Sequence, residues 1–232
     1  MLSKLSKINL PSGSSIKTEG LSIKYPDLKD YPDRRIVLLD SAGLETPVLI
    51  TNEENSEIVH NDIDQQKMSG VEDPKTEDTI FKEKSKEKII TELFLQDYII
   101  YNSDILIVVV GILTYSEQKI LNKIKTKLKR EKSLIKPNNN LFIIHNLMTF
   151  TSVKQVEAYI EQTLLKSATF QLEKNMKINS IKGFQKGICF YEKNSSPKIF
   201  HLIFANEYSE AGKFYNENTL QFIEKSYELI KY

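Results

Sequence analysis

The chain has 232 residues, 40% of them hydrophobic, and a formal net charge of +1. That length suffices for one buried core and a single α/β domain over residues 1–232, and the near-neutral balance leaves no overall field for nucleic acid or an anionic membrane. A lone cysteine, Cys189, excludes an internal disulfide and suits a reducing cytoplasm, while no apolar signal segment opens the chain and its longest apolar run is about half a membrane span.

In chain order, Met1, Leu2, Leu5 and Ile8 mark one face of a short helix. Thr18-Glu19-Gly20 follows, and then Leu21 to Tyr25, whose alternation fits a half-buried strand. Pro26 to Asp33 is rich in Pro and Asp and reads as a turn. It leads into Ile36–Leu39, an apolar run expected to be a buried strand antiparallel to the first, which delivers Asp40-Ser41-Ala42-Gly43 at its end. Glu45 to Lys88 is long, acidic at first and mixed later, and is expected to be a loop. Ile90, Leu93, Phe94 and Tyr98 then restore a helical face.

The run Ile105–Leu113 is apolar on both faces and β-branched, which predicts a central parallel strand covered by helices. Leu141–Ile144 and Lys198–Phe204 read as further strands, with Gly187–Tyr191 as a hairpin neighbour of the last. Thr114–Glu117 and Ser152–Gln155 have the form of capping boxes. The first precedes a face of Ile120, Leu121, Ile124 and Leu128, the second a face of Val153, Val156, Ile160 and Leu164. Leu220, Ile223, Tyr227 and Ile230 mark the last helix. Alternating strands and helices predict an α/β fold, a doubly wound and mostly parallel sheet. The lysines between Lys119 and Lys132 lack interleaved aromatics and read as a solvated helix face. His145 reads as a strand-end residue, with no second His or Cys at ligand spacing, and no Ser/His/Asp or Cys/His arrangement is legible.

The order Thr18, hairpin, Asp40-x-x-Gly43 resembles switch I and switch II of a P-loop GTPase, and the 22-residue step from Thr18 to Asp40 is similar to that of small GTPases. Leu44 after the glycine is similar to the dynamin, atlastin and guanylate-binding large GTPases, where Ras-type enzymes have glutamine. The resemblance implies a Ras-like G domain in which residues 9–20 are switch I, 40–88 an expanded switch II, and 89–232 the core strands and helices. It implies that Thr18 and Asp40 hold Mg²⁺ with GTP, and that Gly43 offers a bare backbone N–H to the γ-phosphate. No G-x-x-x-x-G-K-[ST] is present, so residues 1–8 read as the remnant of the first helix of an N-terminally truncated domain, and nucleotide and Mg²⁺ are expected only where that loop is present.

In that resemblance the guanine-reading motif falls at His145-Asn146-Leu147-Met148-Thr149. Asn146 keeps the family's first position, Leu147 replaces its lysine and Thr149 its aspartate. Each charge-assisted bond to the base is worth about 1.5–3 kcal/mol, so guanine preference falls roughly 10- to 150-fold per bond lost. Ala205-Asn206 stands where the base-backing loop lies. The implied activity is guanine-nucleotide binding with GTP hydrolysis and homodimerisation through the nucleotide face. The alternative is a pseudo-GTPase that serves as a protein-interaction module without nucleotide.

Overall fold

The computed structural model describes residues 21–24, 37–41, 77–130, 140–173, 189–193, 195 and 198–228. They fall into two compact units: a smaller one with residues 21–24, 37–41 and 77–98, and a larger one with those from Ile99 onward. The expected N-terminal helix, Thr18, Gly43, Leu44 and the acidic part of the long segment lie outside the described residues.

In the smaller unit, β1 (Leu21–Lys24) pairs antiparallel with β2 (Leu38–Ser41), Ser22 opposite Asp40. The hairpin read from the sequence is therefore present. Its second strand is not buried as expected: Leu38 and Leu39 are half-buried and Val37 just before them is exposed, because β1 and β2 form a two-stranded sheet of their own. Helix α1 (Glu77–Asn102) starts inside the segment expected to be loop. The charged stretch 77–88 supplies good helix formers and no Pro or Gly, which outweighs its lack of an apolar stripe. The face expected to be buried farther along α1 is exposed at Ile90, Leu93 and Phe94.

The larger unit is an α/β layer structure. A five-stranded mixed sheet has the order β3 (Ile105–Val110), β4 (Asn140–Leu147), β7 (Ile199–Ala205), β6 (Cys189–Glu192), β5 (Leu172–Glu173). Strands β3, β4 and β7 are parallel, and β6 and β5 add antiparallel strands at one side. The expected hairpin neighbour of the last strand is thus present. The most apolar run is not the central strand. Among the described residues β3 is an edge strand, and Val109 on it is 49% exposed. Hydrophobic content reports that both faces meet apolar neighbours, but rank in the sheet is decided by pairing.

Side chains alternate across the sheet. Leu141, Ile143 and Leu147 of β4 and Ile199 and Ile203 of β7 face one cluster, with Leu121, Ile124 and Leu128 of α2 (Tyr115–Arg130). Val156, Ile160 and Leu164 join them from α3 (Val153–Tyr159), which continues into a wider π-type turn over Ile160–Leu164. The other face gathers Phe142, Ile144, Phe200, Leu202 and Phe204 against Phe222 and Ile223 of α4 (Glu210–Glu228). There Phe142 stacks on Phe200 with ring centroids 5.3 Å apart, and both meet Phe222 edge-on. Each such pair adds about 0.5–1.5 kcal/mol beyond its buried area.

Candidate functional site

Parallel strands deliver their loops to one edge, and ligands in open α/β sheets bind outside the carboxyl ends of the strands. Here β3, β4 and β7 are neighbours, so the turns after them are adjacent. After β3, Glu117 in the first turn of α2 folds back and its two carboxylate oxygens accept the N–H groups of Gly111 and Thr114, both at 2.7 Å. The Thr114 hydroxyl accepts from Glu117 N–H at 3.3 Å, so the capping box is formed. Ser152 and Gln155 form the second box at the start of α3.

The four sequence-predicted base-reading residues sit on the β4 and β7 ends. Asn146 pairs in register with Phe204, and its side chain is exposed, as is that of Thr149. Asn206 donates its side-chain amide to the Met148 carbonyl (3.3 Å) and accepts from Tyr208 N–H (3.1 Å), tying the two loops together. The N–H of Ala211 on the Thr151 carbonyl repeats the link. Ala205 is fully buried, and Asn216 takes both its N–H (2.8 Å) and its carbonyl (2.9 Å). Leu147 is fully buried in the core. Gly212 makes this packing possible. A Cβ there would lie 1.9 Å from the Asn206 carbonyl oxygen and 2.9 Å from the Glu207 Cα, so only glycine lets α4 approach the loop.

Of the expected metal and phosphate residues, Asp40 is half-buried near the end of β2 in the smaller unit, while Thr18 and Gly43 lie outside the described residues. Asn146, Thr149, Ala205 and Asn206 thus share the strand-end loops of the larger unit, while Asp40 belongs to the smaller one. Among the described residues no group of three His, Cys, Asp or Glu side chains is placed to hold a metal ion, and no helix is long and apolar enough to cross a membrane.

Beneath this edge lies an arrangement that the sequence reading missed. His145 does not cap its strand: it is fully buried, with Nδ1 2.9 Å from the Tyr159 hydroxyl and Nε2 3.0 Å from Nδ1 of His201. His201 Nε2 lies 3.2 Å from Glu192 Oε1, and Glu192 Oε2 is 2.6 Å from Lys125 Nζ. Lys125 also donates to the Thr169 carbonyl (3.3 Å) and stands over the Phe170 ring. One lysine of the run expected to be solvated is thus an interior ion pair. The far end of the chain of contacts is the Leu113 N–H, donating to the Tyr159 hydroxyl at 3.2 Å in the turn after β3.

Burial and the adjacent His201 hold His145 well below the ordinary histidine range. Burial also lowers His201, against the pull of Glu192 and with help from the charge of Lys125. Burial raises Glu192, but the hydrogen bonds and charges of His201 and Lys125 outweigh it and leave the carboxyl below its ordinary value. Tyr159 is pushed up to about 12, chiefly by burial. The one available sequence signal was parity: His145 and His201 occupy the same alternation phase as the inward residues of β4 and β7.

No family model matches the chain, and no solved structure matches it. Among curated proteins, it is 24% identical over 227 residues to a heat shock protein of Dictyostelium discoideum. The match covers 95% of this chain and 28% of that relative, so the chain spans about a quarter of the relative's length.

Proposed function

We propose that this chain is a divergent guanine-nucleotide-binding domain of the large-GTPase type, in which the loops after β4 and β7 face the base. The observation that carries the reading is the pairing of those loops. Asn146 and Thr149 on one and Asn206 on the other are brought together at the carboxyl ends of neighbouring parallel strands, with Asn206 bonded across to Met148. An exposed amide, Asn146, and an exposed hydroxyl, Thr149, at such an edge suit the polar rim of a planar ring, with the half-buried Asn206 tying the loops together. The antiparallel hairpin whose second strand carries Asp40 and Ser41, with Ala42-Gly43 next in the sequence, supports the same reading. Mg²⁺-dependent GTP hydrolysis through Thr18, Asp40 and Gly43 where a phosphate loop is present, a P-loop-type fold, and homodimerisation through the nucleotide face belong to the proposal. The proposal rests on the base-facing loops and not on the cation.

A second reading, a pseudo-GTPase interaction module, is favoured by one specific observation. The residue after Asn146 is Leu147, wholly inside the core, so no side chain is offered to the base where the family places lysine. Saturation-transfer NMR separates the two readings because it detects millimolar ligands. Transfer to the base protons of GTP, with amide shifts at Asn146, Thr149 and Asn206 that vanish in Asn206→Ala, supports the first. Absence of both at millimolar GTP, GDP and ATP rejects it in favour of the second.

A further inference from the structure

The buried polar chain is directional, and its direction follows from donor and acceptor counting. Glu192 is ionised against Lys125 and only accepts, so His201 Nε2 carries a hydrogen toward Oε1. The short contact between His145 Nε2 and His201 Nδ1 has room for one hydrogen. With Nε2 of His201 already protonated, a neutral His201 has a bare Nδ1, so that shared hydrogen sits on His145 Nε2. His145 Nδ1 is then bare and accepts from the Tyr159 hydroxyl, whose oxygen accepts the Leu113 N–H. Every donor in the chain has one acceptor, and both imidazoles are neutral.

One added proton changes this in only one way. The two rings then carry three hydrogens on four nitrogens, with a single hydrogen still held in the shared contact, so both outer nitrogens are protonated. Wherever the charge settles between the rings, His145 Nδ1 becomes a donor aimed at the Tyr159 oxygen. The tyrosine hydrogen must turn away from His145, and two donors, a charged imidazolium N–H and the neutral Leu113 N–H, then compete for the one hydroxyl oxygen, a contest the charged donor wins. We propose that Tyr159, His145, His201, Glu192 and Lys125 form an acid-sensitive latch that holds the Leu113 N–H, and with it the turn between β3 and α2, in neutral solution and releases it when the histidine pair takes up a proton.

The charged and titratable groups facing the pair come from every packed element: Tyr159 from α3, Glu192 from β6, Lys125 from α2, and Glu117 of α2 beside Tyr159. The lowered basicity of both rings places the release on the acid side of neutrality. The remaining hold on this turn, Glu117 on Gly111 and Thr114, does not involve the pair. Release therefore loosens one amide without dismantling α2. The latch lies next to the proposed base-facing loops but stands whether or not a nucleotide binds there.

Long-range proton–nitrogen NMR of the unmodified chain at pH 7.5 reads the tautomers directly, and both histidines are expected as Nε2–H forms. Hydrogen exchange, corrected for the intrinsic effect of pH, is expected to show the Leu113 amide losing protection as the pH falls from 7.5 through the acid range in which the fold persists, by about five- to tenfold in all, the equivalent of one hydrogen bond. Amides of Ile143 and Ile203 keep theirs over the same range. In Tyr159→Phe the Leu113 amide is expected to be weakly protected throughout that range. A His145 Nδ1–H tautomer at pH 7.5 overturns the proposal without any variant. So does Leu113 protection that is unchanged by pH, that falls equally in Tyr159→Phe, or that is lost together with the whole sheet.

Discussion

Glu192→Gln removes one charge from the interior with almost no change of shape. In the native chain the carboxylate satisfies two donors, Lys125 at 2.6 Å and His201 at 3.2 Å, and its side chain and that of Lys125 are both under a tenth exposed. Removing one partner of a buried ion pair costs about 3–5 kcal/mol, because the other charge stays buried without compensation. The glutamine keeps one acceptor oxygen, which returns about 1 kcal/mol, but its amide hydrogens then face the remaining donor. The expected net loss is about 2–4 kcal/mol, read as a fall in the urea midpoint at pH 7.5 with an unchanged slope. Adding Lys125→Met should recover a large part of that loss, since the stranded ammonium is gone and the methionine fills the stem's place beside Phe170. A single-variant loss below about 1 kcal/mol, or two substitutions whose costs simply add, refutes the assignment of this pair as an interior, energetically coupled contact.

Stability should also depend on acidity. Both histidines have folded-state values lowered from 6.5 and Glu192 from 4.5, so the unfolded chain binds more protons as the pH falls. The contribution is whole above pH 6.5 and shrinks below it, so urea midpoints should be level from pH 8 to 7 and drop from 6.5 downward; a midpoint that rises on acidification refutes the sign. Gly212→Ala forces a methyl onto the Asn206 backbone and should cost about 1–3 kcal/mol, measured by thermal unfolding, while a neutral outcome means that α4 can move off the loop. Isothermal titration of the 232-residue chain with GTP and Mg²⁺ should show no micromolar binding, because it has no G-x-x-x-x-G-K-[ST] to hold the phosphates, and tight binding overturns that reasoning. Where weak binding is seen by NMR, Thr149→Asp should shift preference toward GTP over ATP by restoring a carboxylate acceptor for the guanine edge, and no shift in preference means the loop does not read the base.

Periodicity and capping were legible because they are local. The boxes at Thr114–Glu117 and Ser152–Gln155 and the stripes of α2 and α3 involve residues three or four apart, and the structure forms all of them. The antiparallel companions β1/β2 and β6/β7 were legible from turn chemistry and alternation. Most of what failed was non-local. The rank of β3 depends on which strands choose to pair with it, and nothing in Ile105–Val110 encodes that choice. The early start of α1 came from helix propensity in a stretch with too few apolar residues to show a stripe. The contact between His145 and His201 spans 56 positions, and that between Lys125 and Thr169 spans 44. A lysine in a basic run looks solvated until the fold supplies a carboxylate from a distant strand. The strand-end residues Asn146, Thr149 and Asn206 were legible as neighbours only through the resemblance that named them.

The phenylalanine triangle on the α4 face has a practical consequence through its neighbour Cys189. That thiol is buried in the same cluster, and burial pushes its ionisation far above the ordinary range, so almost no thiolate is available in the folded chain. A thiol reagent can then react only when β6 parts from that layer. Because the sequence holds no other sulfhydryl, the colour yield of an aromatic disulfide reagent counts openings of one known place. At high reagent the rate becomes the opening rate itself, and at low reagent it reports the fraction of time spent open. The chain thus carries its own clock for breathing of the sheet, readable without a label.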